Sequence, residues 1–194
     1  MKYAIVGIGQ VGLRHFEAFK KIKKLNLVGF IEKNFERANN FEKKYKIKRY
    51  KNLEDLLNLK LDFIVLCLPH NQRIKPIHDC VKKSVNILIE KPLAINLIEL
   101  DKIKIILKKK KLIHSISFVH RFRKEVLLAD KIIQQNKLGK IKFISEMMLS
   151  YKNPLLPKWI DKKNLSGGGV LMYNAVHSID KLIFLVKSKI SKVF

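Results

Sequence analysis

The chain has 194 residues, 47% of them hydrophobic and 29% charged. That balance excludes a disordered tail, a collagen-like repeat and a coiled coil, and the length suits one domain plus part of a second. Basic residues exceed acidic ones by 41 − 16 = 25, but they comprise 35 lysines and 6 arginines spread over nearly every predicted helix, which ranks a dedicated nucleic-acid binder last, because such proteins concentrate arginine and aromatic side chains on one face.

The predicted elements alternate. Lys2 to Gly7 reads as a strand, Val11 to Ile22 as a helix, Leu25 to Ile31 as a strand and Asn34 to Tyr45 as a helix. A short helix at Leu53 to Leu57 precedes Leu61 to Cys67, a continuous apolar run typical of a strand covered on both faces. Helix Pro76 to Lys83, strand Asn86 to Ile89, helix Leu97 to Lys109 and strand Leu112 to Phe118 follow. The lysines 108 to 111 close the last of these helices, where cations complement its dipole. This order predicts an α/β domain with a doubly wound parallel sheet over residues 1–119.

The pattern changes beyond residue 120. Helix Lys124 to Gln135, a longer strand at Lys140 to Leu149, a loop with Pro154 and Pro157, and a glycine run leading into a helix at Val170 to Val186 are expected, with a further strand beginning near Phe194. Residues 120–194 therefore read as the incomplete start of an α+β open-sheet domain. No unbroken apolar run reaches the ~18 residues of a membrane span. The N-terminus lacks a signal-peptide core, and Cys67 and Cys80 stand alone in apolar surroundings without metal-ligand spacing, so a cytoplasmic chain with no membrane association and no metal is expected.

Two short motifs carry chemistry. Gly7-Ile8-Gly9-Gln10-Val11-Gly12 leaves the first strand and opens the first helix. Gly7 permits the turn, Gly9 lets a pyrophosphate approach, Gly12 allows close helix packing, and the helix N-terminus offers N–H donors. Glu32, at the end of the second strand, is placed to accept from ribose hydroxyls and favours NAD, while the neighbouring Lys33 and Arg37 soften that preference and leave NADP possible. Glu90-Lys91-Pro92 follows the strand Asn86 to Ile89, at an edge where ligands of open α/β sheets bind, and Lys91 beside a nicotinamide can help move a proton.

On the later helix, Leu171, Ala175 and Leu182 form an apolar stripe, while Tyr173 and His177 lie four apart on another face with Asn174 adjacent. His15 reads as structural.

GIGQVG, Glu32, Leu68-Pro69, EKP, His120-Arg121-Phe122 and GGGVLMYNAVHSID together resemble the Gfo/Idh/MocA family of nicotinamide-dependent sugar and cyclitol oxidoreductases. The resemblance implies that Lys91 and His177 are the catalytic pair. It places Gly7, Gly9, Gly12 and Glu32 on the cofactor, and Leu68, Pro69 and Asn71 beside it. The intervening Ile8, Gln10 and Val11, with Lys33 and Glu90, complete the candidate cofactor residues, and Tyr173 and Asn174 would orient a substrate hydroxyl. Tyr173 stands where the family commonly has an aspartate. Members normally continue into a broad sheet that completes the substrate pocket and mediates oligomers, so a homo-oligomer through that sheet is expected. The implied function is an NAD(P)-dependent dehydrogenase acting on a sugar, nucleotide sugar or cyclitol; the alternative is a truncated dinucleotide-binding fragment without turnover.

Overall fold

Five parallel strands form one sheet: β1 (Lys2–Val6), β2 (Asn26–Ile31), β3 (Phe63–Leu66), β4 (Asn86–Ile89) and β5 (His114–Ile116), in the spatial order β2-β1-β3-β4-β5. The computed structural model describes residues 1–149, 151, 154 and 156–194. Two units are distinguished, Met1–Ser117 and Phe118–Phe194. The sheet and its helices α1 (Gln10–Phe19), α2 (Phe35–Tyr45), α3 (Leu53–Leu57), α4 (Ile74–Lys82) and α5 (Leu97–Lys108) make up the first.

Successive side chains of a strand face opposite sides of its sheet, and both sides are covered here. Tyr3, Ile5 and Val65 pack with Phe16 of α1 and Ala38 and Phe41 of α2. Ala4, Val6, Ile64, Leu66, Ile87 and Ile89 pack with Leu56, Ile77, Cys80 and Ile103 from α3, α4 and α5. Burial on both faces explains why the β3 region reads as an unbroken apolar run. Aromatic contacts tighten the first layer: Phe16 meets Tyr45 at 4.5 Å and Phe41 at 4.9 Å between ring centroids. Burial pushes the Tyr3 phenol up to about 12 and the Cys80 thiol likewise to about 12; both cysteines are free thiols.

Asparagine side chains start three of the helices. Asn34, Asn52 and Asn96 accept from the backbone N–H of Arg37, Asp55 and Glu99, so each satisfies an otherwise orphaned first-turn donor. From β1 the chain steps to β2 on one side, and β3 then lies on the other side of β1. The reversal opens a crevice between the loops after β1 and β3, the place where open α/β sheets take ligands.

The second unit contains α6 (Lys124–Gln134), α7 (Lys163–Ser166) and α8 (Val176–Val186), with α6 and α8 packed on one another. Four sequence expectations are corrected there. The strand expected at Lys140 to Leu149 is absent: the segment keeps a two-residue alternation, with residues 143, 145, 147 and 149 exposed and 144, 146 and 148 partly covered, but no described strand pairs with it. An extended segment becomes a strand only when a partner takes its ladder bonds. The strand expected near Phe194 is likewise absent, residues 188–194 being irregular.

The helix expected over Val170 to Val186 is interrupted by a π-helical turn, Leu171–Ala175, before α8. One wider turn adds a residue to the helical repeat and shifts the phase, so Leu171, assigned to the apolar stripe, is 71% exposed while His177 is 5% exposed. The proline loop expected between these elements lies partly outside the described residues. Finally, although unbroken apolar runs are short, the helical stretch Lys163–Val186 is 24 residues and is long and apolar enough to cross a membrane by length and composition only. It carries the buried His177 and Asp180.

Candidate functional site

The glycine turn sits in the crevice of the first unit. Gly7 has φ +92°, and a Cβ there would lie 2.4 Å from the Cys67 carbonyl oxygen. A Cβ on Gly12 would lie 1.9 Å from the Gly7 carbonyl oxygen, so the turn and the start of α1 close directly on each other and on the end of β3. Gly9 differs: its Cβ would meet nothing nearer than an Arg37 guanidinium nitrogen at 3.9 Å. Gly9 is also the N-cap of α1 and supplies no side-chain cap. First-turn N–H groups thus face open space over Gly9, the arrangement that receives a phosphate.

Glu32, 8% exposed, is tied to this turn. Its Oε2 accepts from the Ile8 N–H at 2.9 Å and from Arg37 Nη1 at 3.3 Å, and its Oε1 accepts from the Asn34 N–H at 2.8 Å. A carboxylate offers about four lone-pair sites, so Oε1 retains capacity for a hydroxyl. Arg49 Nη2 donates to the Glu32 carbonyl at 2.9 Å. Lys33 and Gln10 are exposed, and Val11 is partly buried.

Across the crevice, Leu68, Pro69 and Asn71 follow β3, and Asn71 Oδ1 is buried without a hydrogen-bond partner. An orphaned buried acceptor, an open glycine face and a nearby carboxylate together fit a dinucleotide, which brings donors and a pyrophosphate to such a crevice.

Glu90 and Lys91 follow β4, and the Lys91–Pro92 peptide is cis. Glu90 is 7% exposed and takes a hydrogen bond with His15 Nε2 at 2.7 Å. Burial by itself would raise its proton affinity, but the His15 and Ser117 hydrogen bonds and the Arg73 charge bring it below the ordinary carboxylate value. Lys91 is partly buried. Burial lowers its proton affinity, Glu90 acts against that, and Arg73 acts with it. Arg73 is not singled out in the sequence, and His15 reads there as structural. His15 lies two turns into α1, with its ring against Phe19 at 5.6 Å, and nothing local marks it as a partner of Glu90.

The remaining candidates belong to the second unit. Tyr173 and Asn174 fall within the π-helical turn and are partly buried. His177 is the second residue of α8, and its ring stacks on that of His120 at 3.9 Å between centroids and 11° between planes. Arg123 Nη2 lies 2.8 Å from His120 Nε2. One turn beyond His177, Asp180 accepts from Arg121 Nε at 2.7 Å and from its Nη2, so a guanidinium fork grips a buried carboxylate. Lys91 and His177 thus belong to different units.

Among the described residues no group of three or more His, Cys, Asp or Glu is arranged to hold a metal ion.

Residues 1–118 match the model of an oxidoreductase family with an NAD-binding Rossmann fold, GFO_IDH_MocA, and residues 126–194 match a GFO/IDH/MocA C-terminal domain. The chain is 27% identical to glucose-6-phosphate 3-dehydrogenase of Bacillus subtilis, covering 96% of this chain and 54% of that protein. It is 23% identical to myo-inositol 2-dehydrogenase of Thermotoga maritima, covering 100% of this chain and 57% of that protein. A crystal structure of a probable dehydrogenase from Thermotoga maritima superimposes with a TM-score of 0.83 at 21% identity, over 98% of this chain and 56% of that one. The chain therefore spans about half the length of the curated relatives it matches.

Proposed function

The chain belongs to the Gfo/Idh/MocA family of oxidoreductases, and from that premise we propose that it binds NAD at the glycine turn and exchanges a hydride with a carbinol carbon of a sugar, nucleotide sugar or cyclitol. Residues 1–119 would serve as the dinucleotide-binding domain and residues 120–194 as part of a substrate and oligomerisation domain. The open face over Gly9, with Glu32 bonded to Ile8 at its edge, carries this reading.

Gly7, Ile8, Gly9, Gln10, Val11 and Gly12 would hold the pyrophosphate, Glu32 and Lys33 the adenosine ribose, and Leu68, Pro69, Asn71, Glu90 and Lys91 the nicotinamide side. The nicotinamide, when bound, supplies the hydride acceptor or donor. In the oxidising direction His177 would take the substrate hydroxyl proton, and Lys91 would stabilise the alkoxide. Tyr173 and Asn174 would orient the hydroxyl, a phenol and an amide each being able to donate and accept. The lowered proton affinity of Lys91 supports its part, since a group nearer its titration point exchanges protons more readily. NAD is preferred because a carboxylate at Glu32 repels a 2′-phosphate, while Arg37 at 3.3 Å from it leaves NADP accessible. A cytoplasmic setting, a small-molecule sugar-like substrate and a homo-oligomer complete the proposal.

A titration of the chain with NADH and NADPH, followed by nicotinamide fluorescence with folding checked in the same samples, tests it. Saturable binding, tighter for NADH, is expected. No binding by a folded chain would withdraw the cofactor assignment and every role that depends on it. The glycine turn and Glu32 lie wholly within the first unit, which leaves a second reading, a dinucleotide-binding chain without turnover. Binding without oxidation of any sugar or cyclitol would select it.

A further inference from the structure

Arg73 is 2% exposed, the bulkiest fully buried side chain, and no motif pointed to it. It stands just before α4, and its guanidinium faces backbone carbonyls from two loops. Nε and Nη2 donate to the Leu68 carbonyl at 3.2 and 2.9 Å, Nη1 donates to the Glu90 and Pro92 carbonyls, and Nη2 reaches the Lys91 carbonyl at 3.4 Å. Leu68 belongs to the loop after β3, and Glu90 to Pro92 belong to the loop after β4. The ladder between these strands ends where the Glu90 N–H donates to the Leu66 carbonyl at 3.1 Å. Arg73 continues the connection beyond that point.

Taking a guanidinium out of water is costly unless its donors are met. An apolar side chain would fill the same space without that cost, so packing alone does not account for an arginine here. Its planar fork can span several acceptors at fixed angles, which a lysine ammonium cannot do.

We propose that Arg73 is a positioning residue: its buried guanidinium clamps the loop after β3 to the loop after β4 and fixes the backbone from which Lys91 projects. This rests on the reading of Lys91 as a proton-handling group. The clamp also holds a positive charge close to the Lys91 ammonium, against the Glu90 carboxylate, which is itself held by His15 and Ser117.

The test compares the parent chain with Arg73→Lys and Arg73→Met. Lysines are acetylated competitively with acetic anhydride across a pH series, and each labelling midpoint is read by peptide mass spectrometry. Lys75, whose side chain is 86% exposed, is the surface reference. Thiol labelling of the fully buried Cys80 reports general loosening. In the parent, Lys91 should label with a midpoint below that of Lys75. Both variants should raise the Lys91 proton affinity by about threefold or more, methionine the more strongly, with Lys75 and Cys80 unchanged. An unchanged Lys91 midpoint in folded Arg73→Met overturns the proposal, and where that variant does not fold, the same result in Arg73→Lys does so. A shift accompanied by labelling of Cys80 also overturns it, since the whole domain has then loosened. NADH titration of the parent keeps the two readings apart: failure there withdraws the cofactor assignment, whereas the labelling midpoints judge the clamp.

Discussion

His15 and Glu90 form a largely buried pair, 2.7 Å from Nε2 to Oε1, that ties the helix after the glycine turn to the residue preceding Lys91. The folded chain favours the charged form of Glu90, so its contribution to stability is fully present above the ordinary value of 4.5 and is lost as pH falls through the lower folded value. Glu90→Gln should cost about 1.5–3 kcal/mol at neutral pH. It should also flatten the loss of stability below pH 4.5. Urea midpoints at neutral and acid pH measure both effects; a variant that loses stability with acid as steeply as the parent would refute the role.

The glycines separate by consequence. Gly12→Ala places a methyl group 1.9 Å from the Gly7 carbonyl oxygen, and the enforced shift should destabilise the chain by about 3 kcal/mol or more. Gly9→Val has open space before it and an ordinary φ of −71°, so its stability should change by less than about 1 kcal/mol. Cofactor binding should nevertheless vanish in Gly9→Val. Thermal melting together with NADH titration checks the pair, and a Gly9→Val chain that still binds NADH would remove the pyrophosphate assignment.

Lys91→Ala should leave NADH binding within about threefold of the parent, since Lys91 is one of several groups on the nicotinamide side, and abolish turnover, because its catalytic part begins only when charge develops on the substrate oxygen. Equal loss of binding in Lys91→Ala and Gly9→Val would contradict the division of roles.

At the ribose end, Glu32→Ala should narrow the preference for NADH by about tenfold, removing the repulsion of a 2′-phosphate while leaving Arg37 in place. Arg37→Ala should instead weaken NADPH more than NADH. Parallel titrations with both nucleotides decide this, and an unchanged ratio in both variants would move the selectivity elsewhere.

In the second unit, Arg121→Ala leaves the Asp180 carboxylate, 8% exposed, without its fork. A buried carboxylate stripped of its partner should cost about 2–4 kcal/mol. Asp180→Asn should cost less, since an amide needs no countercharge. Melting temperatures of the two variants provide the comparison, and equal temperatures would show that the ion pair is not what holds α8.

Much of the first unit was legible from residues 1–119. The strand positions follow from apolar runs such as Phe63–Leu66, and the helix positions follow from apolar periodicity, because both signals are local. The candidate residues Gly7, Glu32 and Lys91 follow strand ends, and Gly9 and Gly12 open α1, where their types and spacing are visible. His15 and Arg73 were not legible, since their partners are 75 residues away in one case and backbone carbonyls of two loops in the other. A one-dimensional pattern carries no trace of such a pairing.

The sequence by itself determined the alternation of strands and helices, the glycine turn and the acid beyond it, because steric freedom at glycine, two-residue and helical periodicities and helix capping all act within a few residues. Only the tertiary structure decided that Lys140 to Leu149 finds no partner strand among the described residues, that a π-helical turn buries His177 and exposes Leu171, and that a buried arginine joins the loops around Lys91. Each of those outcomes depends on which distant group takes a hydrogen bond or a place in the core, and that is settled by the whole chain's packing.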